Sequence, residues 1–257
     1  MTAPPDGSYP QTARTTPTRH RERAGYDRAA VHAILDADWI CHLGFVADGA
    51  PVVLPTLYAR VADRLYLHGS TGSRPLRTAA RAPHTPPPDG GAEPGGSDAA
   101  EGERPSGART GSQDAGPGDG LRVCVTVTIA DGLVLARSAF HHSVNYRSVV
   151  AHGVARRVTD PAERAAALDA IVDAAVPGRS ADCRPATPKE LAQTAVLRLD
   201  LEEVSAKVRA GGVAEDPEDL ALPHWAGVVP LTRSLGAAQP DPALAPGTPL
   251  PAYLPAP

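Results

Sequence analysis

The feature that most constrains this chain is a 39-residue stretch, 82–120, without one large apolar side chain. It is built almost wholly from Pro, Gly, Ala, Ser and acids. A segment of that composition cannot bury enough area to offset the entropy of ordering it. It is therefore expected to be a disordered insert, leaving an ordered block on either side. A linker between two independent domains is the alternative, but the flanking strands read as parts of one sheet. The insert also explains the charge. Seven acids (Asp89, Glu93, Asp98, Glu101, Glu103, Asp114, Asp119) against Arg104 and Arg109 give it −5. The whole chain carries −4, so the remainder is near neutral at +1.

That balance argues against a nucleic-acid binder, because no Lys/Arg run is dense enough to follow a phosphate backbone. Cys41, Cys124 and Cys183 are far apart and form no Cys-x-x-Cys, so neither a zinc site nor a disulfide framework is expected. Residues 1–25 are polar and Pro-rich, without the apolar run of a signal peptide, and are expected to be disordered. No apolar run approaches a membrane span. A cytoplasmic protein that binds neither nucleic acid nor membrane is the expectation. From Leu235 the tail is Ala/Pro-rich and expected to be loose, which assigns residues 26–234 to the folded domain.

Within that domain, Asp27 reads as the N-cap of a helix whose apolar stripe is Val31, Ile34 and Leu35. Trp39–Ala47 and Pro51–Arg60 read as strands around Asp48-Gly49, a strong hairpin signal. Ala62-Asp63 makes the next turn, before a third strand at Leu65–His68. After the insert, Val123–Ile129 is a strand, Asp131-Gly132 a second hairpin turn and Leu133–Ala139 its partner. Val149–Val158 follows, with Gly153 as a bulge. Asp160-Pro161 opens a helix to about Ala175, with Ala167, Leu168, Ile171 and Val172 inward. Thr187 caps a short helix, and strands end the domain at Ala195–Leu201 and Val204–Arg209. Six to eight antiparallel strands with two or three helices close most compactly as a β-barrel, full or split, with peripheral helices.

The chemistry concentrates at Leu65-Tyr-Leu-His-Gly-Ser-Thr-Gly-Ser-Arg-Pro-Leu-Arg77, a strand, a Gly/Ser turn and a basic helix start. Gly69 and Gly72 let the backbone bend, Ser73 can cap, and Pro75 fits a first helical turn. Ser70, Thr71 and Ser73 offer hydroxyls beside the guanidiniums of Arg74 and Arg77, a suitable seat for a phosphate. It is neither a Walker loop nor a dinucleotide fingerprint, since both Gly spacings are missing. Phe140–Ser148 is a second polar cluster, but no acid or Cys lies at ligand spacing from His141 and His142. His42 and His152 read as structural, and Cys41 and Cys124 as core. No nucleophile elbow or spaced Ser/His/Asp set occurs, so an anionic cofactor would carry the hard chemistry.

Several motifs in order carry a family resemblance: Ile40-Cys-His-Leu-Gly-Phe45, Pro51-Val-Val-Leu-Pro-Thr56, Leu65-Tyr-Leu-His-Gly-Ser70, Gly72-Ser-Arg74, Val123-Cys-Val-Thr-Val-Thr128 and Asn145-Tyr-Arg-Ser-Val-Val150. Together they resemble the flavin-binding split barrel of the pyridoxamine 5′-phosphate oxidase superfamily, nearest its flavin-nucleotide-binding or nitroimidazole-resistance-like branch. The resemblance implies a mainly β fold with α, a split barrel that binds FMN as a homodimer with flavin at the interface. It implies that Val53, Leu54, Pro55 and Thr56 meet the flavin edge, and that His68, Gly69 and Ser70 run along the ring and ribityl chain. Ser73 and Arg74, with Arg77, would hold the phosphate. Tyr146, Arg147 and Ser148 would close the site from the second subunit, and Trp225 would cover the ring. Pro75 stands where many relatives carry Lys, and the C-terminal substrate signature of true pyridoxamine-phosphate oxidases is not recognisable. Three functions stay open: an FMN-dependent oxidoreductase on a small substrate, an F420-dependent reductase, and a non-catalytic flavin or haem carrier with His68 or His142 as axial ligand.

Overall fold

The computed structural model describes residues 7–73 and 120–255. Among these residues nine strands, all paired antiparallel, make one sheet: β1 (Ala24–Gly25), β2 (Ile40–Ala47), β3 (Ala50–Val61), β4 (Arg64–Ser70), β5 (Leu121–Leu135), β6 (Ser143–Arg157), β7 (Thr194–Asp200), β8 (Glu203–Arg209) and β9 (Gly227–Pro230). Their order is β1-β8-β6-β7-β4-β3-β2-β5-β9, and β5 also pairs β6. That extra pairing closes β6-β7-β4-β3-β2-β5 into a ring, with β8 and β1 leaving from β6 and β9 leaving from β5. The result is the split barrel expected from the strand pattern. Among the described residues three α-helices lie against it: α1 (Arg28–Leu35), α2 (Pro161–Ala175) and α3 (Pro188–Gln193). Among the described residues no helix is long and apolar enough to cross a membrane.

Strand alternation builds two cores. Leu65 and Leu67 of β4, Leu197 and Leu199 of β7 and Tyr58 of β3 point into the barrel, where they meet Val125, Val127 and Val149. The intervening Ala59, Tyr66 and Val196 face outward and are covered by Ala167 and Ile171 of α2. This is why β4 is apolar on both faces. Val172, expected inward, stays partly exposed because α2 touches the sheet through one narrow stripe.

Local signals did as expected at several points. The Asp27 carboxylate accepts from the Ala30 N–H at 2.8 Å, and Asp160 caps α2 through the Glu163 N–H at 2.9 Å. Thr187 and Glu190 form a reciprocal capping box on α3. Asp48 and Gly49 both take positive φ (52° and 74°), as the tight turn between β2 and β3 requires.

Elsewhere the fold departs from expectation. Residues 8–26 pack onto the barrel: Tyr9 is buried in the core, and its N–H donates to Tyr26 O at 2.8 Å. The Tyr9 hydroxyl meets His32 and Asp63, and Arg28 lies 4.3 Å over its ring. Buried Thr15, the bonds of Thr12 and Arg14 to Glu203, and Tyr26 Oη donating to Thr15 O at 3.0 Å hold the rest of this polar segment. Asp131-Gly132 is not a hairpin. β5 runs straight through it with only a register shift against β6, because β6 lines the whole length. Gly153 makes no bulge; a Cβ there would sit 2.6 Å from Leu199 Cδ1, so close packing is its role. Residues 235–255 contain turns only, although Tyr253 bonds Arg179 and Asp182. The helix expected from Ser73 to Arg81 and nearly all of the insert lie outside the described residues.

Gly120 is the exception within that insert. It is buried at the start of β5 with φ +83°, and a Cβ would lie 2.7 Å from Ala155 O and 2.8 Å from Val154 Cγ1. Left-handed backbone and steric overlap therefore both oppose any side chain. Gly120→Ala is expected to lose about 2–3 kcal/mol of stability. Thermal denaturation checks this, and an unchanged melting temperature would refute the packing assigned to Gly120.

Candidate functional site

The site arises where two neighbouring strands part. β3 and β4 pair from Tyr58↔Leu67 to Val61↔Arg64 and no further. Beyond that point β3 stays with β2, matching Pro55 to His42 and Leu54 to Leu43. β4 instead continues along β7, matching His68 to Val196 and Gly69 to Ala195. The divergence opens a cleft of about 200 Å³ between Leu54-Pro55-Thr56 and His68-Gly69, with Ser73 at one end. Its floor is Leu43, Leu67 and Leu197. Over Leu54–Thr56 the β3 edge facing the cleft has no strand partner among the described residues. Backbone groups there are available to a ligand.

Two polar atoms mark the cleft. His68 Nδ1 and Ser73 Oγ are buried yet have no hydrogen-bond partner among the described residues. Buried polar groups are normally paired, so two at one place point to a polar ligand. Burial alone pushes the His68 pKa below its ordinary value, which favours a neutral imidazole able to donate or accept according to tautomer. The turn presenting Ser73 is held by its N–H to Ser70 O at 2.9 Å and by Thr71 N–H to Gln193 O at 3.0 Å. Ser70 itself accepts from the Gly72 N–H, so its hydroxyl serves the turn. Neither Gly69 nor Gly72 uses a positive φ.

Six of the expected residues thus line one cleft: Leu54, Pro55, Thr56, His68, Gly69 and Ser73. Val53, 63% exposed, and Ser70, also exposed, are not among its lining residues. Arg74 and Arg77 lie outside the described residues. Tyr146, Arg147 and Ser148 are on β6 and do not line the cleft. Arg147 is engaged with Asp131 through two hydrogen bonds of 2.9 and 2.8 Å, which hold the Asp131 carboxyl below its usual range. Ser148 Oγ donates to Lys207 O at 3.2 Å, and Tyr146 sits opposite Ala130. Trp225 packs over Gly227 at β9 and away from the cleft lining. Leu43 and Leu197 were not singled out from sequence as site residues. Their signal was the inward alternation of β2 and β7, which reads only as core until the strands are placed.

Residues 27–86 and 106–208, more than half of the chain, match the sequence profile of the pyridoxamine 5′-phosphate oxidase family. The chain belongs to that family. The two matched blocks flank residues 87–105, which fall inside the Pro/Gly-rich acidic stretch. Among solved structures of this family's fold, the flavocytochrome Anf3 from Azotobacter vinelandii is 34% identical, with a TM-score of 0.74, covering 94% of this chain and 95% of its own. The FAD and heme binding protein from Mycobacterium smegmatis is 35% identical, with a TM-score of 0.71, covering 90% of this chain and 95% of its own. Among curated proteins none matches the chain.

Proposed function

We propose that this chain is a flavin-binding redox protein of flavocytochrome type, holding its flavin in the β3–β4 cleft and carrying a haem as well. The observation behind the flavin is the cleft itself, with an apolar floor, an unpaired strand edge and two unpartnered buried polar atoms. His68 and Ser73 fit the polar edge of a flavin or its side chain, and Leu43, Leu67 and Leu197 keep water from its ring. A bound flavin would supply reversible one- and two-electron transfer, chemistry that the side chains here lack. The haem is supported by the two relatives of about one-third identity, both described as flavin–haem proteins. The resemblance implied FMN; the FAD of the second relative favours the dinucleotide. An oxidoreductase passing electrons to a small acceptor is the activity these groups serve.

A homodimer belongs to the same proposal. At about 200 Å³ the cleft is smaller than the roughly 300–1,000 Å³ of a usual cofactor pocket. Leu54 lines it, and Leu54 with Val53 and Leu57 of the same strand is exposed, an apolar strip that a second copy would cover. Tyr146, Arg147 and Ser148 would then reach the flavin from that copy.

The test is a visible spectrum of the purified protein before and after dithionite, followed by chromatography of the flavin released on denaturation. Released FAD together with a reduced-haem α band is the expected result. Released FMN with no haem band would favour the FMN oxidoreductase instead. A flat spectrum after incubation with FAD, FMN and haemin would overturn the proposal, and F420 would be titrated next. Ser73→Ala is expected to weaken flavin retention by about three- to tenfold, the worth of one neutral hydrogen bond. Equilibrium dialysis reads it, and an unchanged affinity would remove Ser73 from the site.

A further inference from the structure

We propose that His141, Asp216 and Asp219 form a site for one divalent transition-metal ion of the zinc class, which staples the entry of β6 to the segment after β8. No acid lies at ligand spacing from His141 along the chain; the fold supplies two, from more than seventy residues away. His141 ends the short 3₁₀ turn Ala139–His141, and Asp216 and Asp219 belong to the 3₁₀ turn Pro217–Ala221 and its cap. His141 Nε2 lies 3.2 Å from Asp216 Oδ2, and one ligand atom from each of the three residues falls within 4.8 Å of the others.

The two turns are held in this relation by a separate contact. Glu215, its side chain only 3% exposed, accepts from both the backbone N–H and the guanidinium of Arg137. That contact also commits the Arg137 guanidinium to Glu215. Among the described residues no Lys or Arg pairs with Asp216 or Asp219, and the only ion-pair contact to either is His141. Two carboxylates and an imidazole therefore converge with no Lys or Arg among them, which is the composition of a metal ligand set. One nitrogen and two carboxylate oxygens suit Zn²⁺ and its first-row neighbours better than Ca²⁺ or Mg²⁺, which take oxygen ligands. Three protein ligands leave a position for water. Phe140, almost fully exposed, meets the His141 ring edge-on at 5.2 Å and helps to fix its plane. The site is separate from the β3–β4 cleft and stands whether or not a flavin binds there.

The experiment is isothermal titration calorimetry of the holoprotein, stripped with EDTA, against ZnCl₂, with melting curves alongside. We expect one equivalent bound and a melting temperature raised by zinc. Asp216→Asn and Asp219→Asn are each expected to weaken binding at least about tenfold and to abolish the zinc-induced rise. Without zinc, Asp219→Asn should melt no lower than the parent, because Asp219 makes no ion pair among the described residues; this separates lost binding from lost folding. Absence of zinc binding, or binding of equal affinity in both variants, overturns the proposal; the latter would place the ion on other surface histidines.

Discussion

Replacing Leu197 by Ala is expected to remove about 2–5 kcal/mol of stability, the usual result of emptying a buried leucine site. Leu197 is 1% exposed and faces Leu67 across the β4–β7 pairing. Its side chain belongs to the barrel interior and to the floor of the cleft at once. It cannot be replaced by a neighbour sliding in, because Leu65 and Leu199 are fixed on the same strands by their own pairing. The melting temperature should fall by roughly 4–20 °C for a domain of this size. The void opens toward the ligand, so flavin should dissociate faster in the same variant. Scanning calorimetry and fluorescence of released flavin measure the two effects. A loss below about 1 kcal/mol would mean that Leu197 does not sit in a close-packed interior.

The second large effect is expected at His68. His68→Phe keeps a planar aromatic ring, slightly larger, and removes both ring nitrogens, so any flavin atom they serve is left buried and unpaired. That omission is worth about 1–3 kcal/mol, or roughly 5- to 150-fold in affinity. The same substitution should change the acid limb of the stability curve. Burial lowers the His68 pKa in the folded chain, whereas the unfolded chain takes up a proton near about 6.5. Below that value the unfolded state therefore binds more protons, and native stability falls with pH until the folded pKa is reached. Phe cannot titrate, so the variant should lose less stability between neutral pH and pH 5 than the parent. Urea unfolding at several pH values tests this directly. Parallel curves for the two proteins would show that His68 is solvated and not part of a dry cleft.

Much of this architecture was legible because it depends on neighbouring residues. The Asp48-Gly49 turn needs two positive φ values and has residues that tolerate them. The caps at Asp27, Asp160 and Thr187 are local hydrogen bonds, and they appear where the residue types allow them. Asp131-Gly132 misled for the same reason. Its composition suits a turn, but the long β6 on one side and the short β9 on the other gave the backbone more hydrogen bonds by continuing. Tyr9 was unreadable as an anchor, since its partners His32 and Asp63 are 23 and 54 residues away.

By itself the sequence determined the sheet-forming segments, the turns between most of them, the split barrel and its family. Through the family resemblance it also picked out the strand pieces, Leu54–Thr56 and His68–Gly69, that wall the cleft. Those are properties of short windows, fixed by periodicity, turn chemistry and motif order. Only the tertiary structure decided that β3 and β4 part at Tyr58 and Leu67, because a strand's choice of neighbour depends on what competes for its edge. The same competition left Tyr146, Arg147 and Ser148 outside the cleft of this chain and brought Asp216 and Asp219 to His141. Contacts between distant residues follow from closing the sheet into a ring, and no local pattern of side chains encodes them.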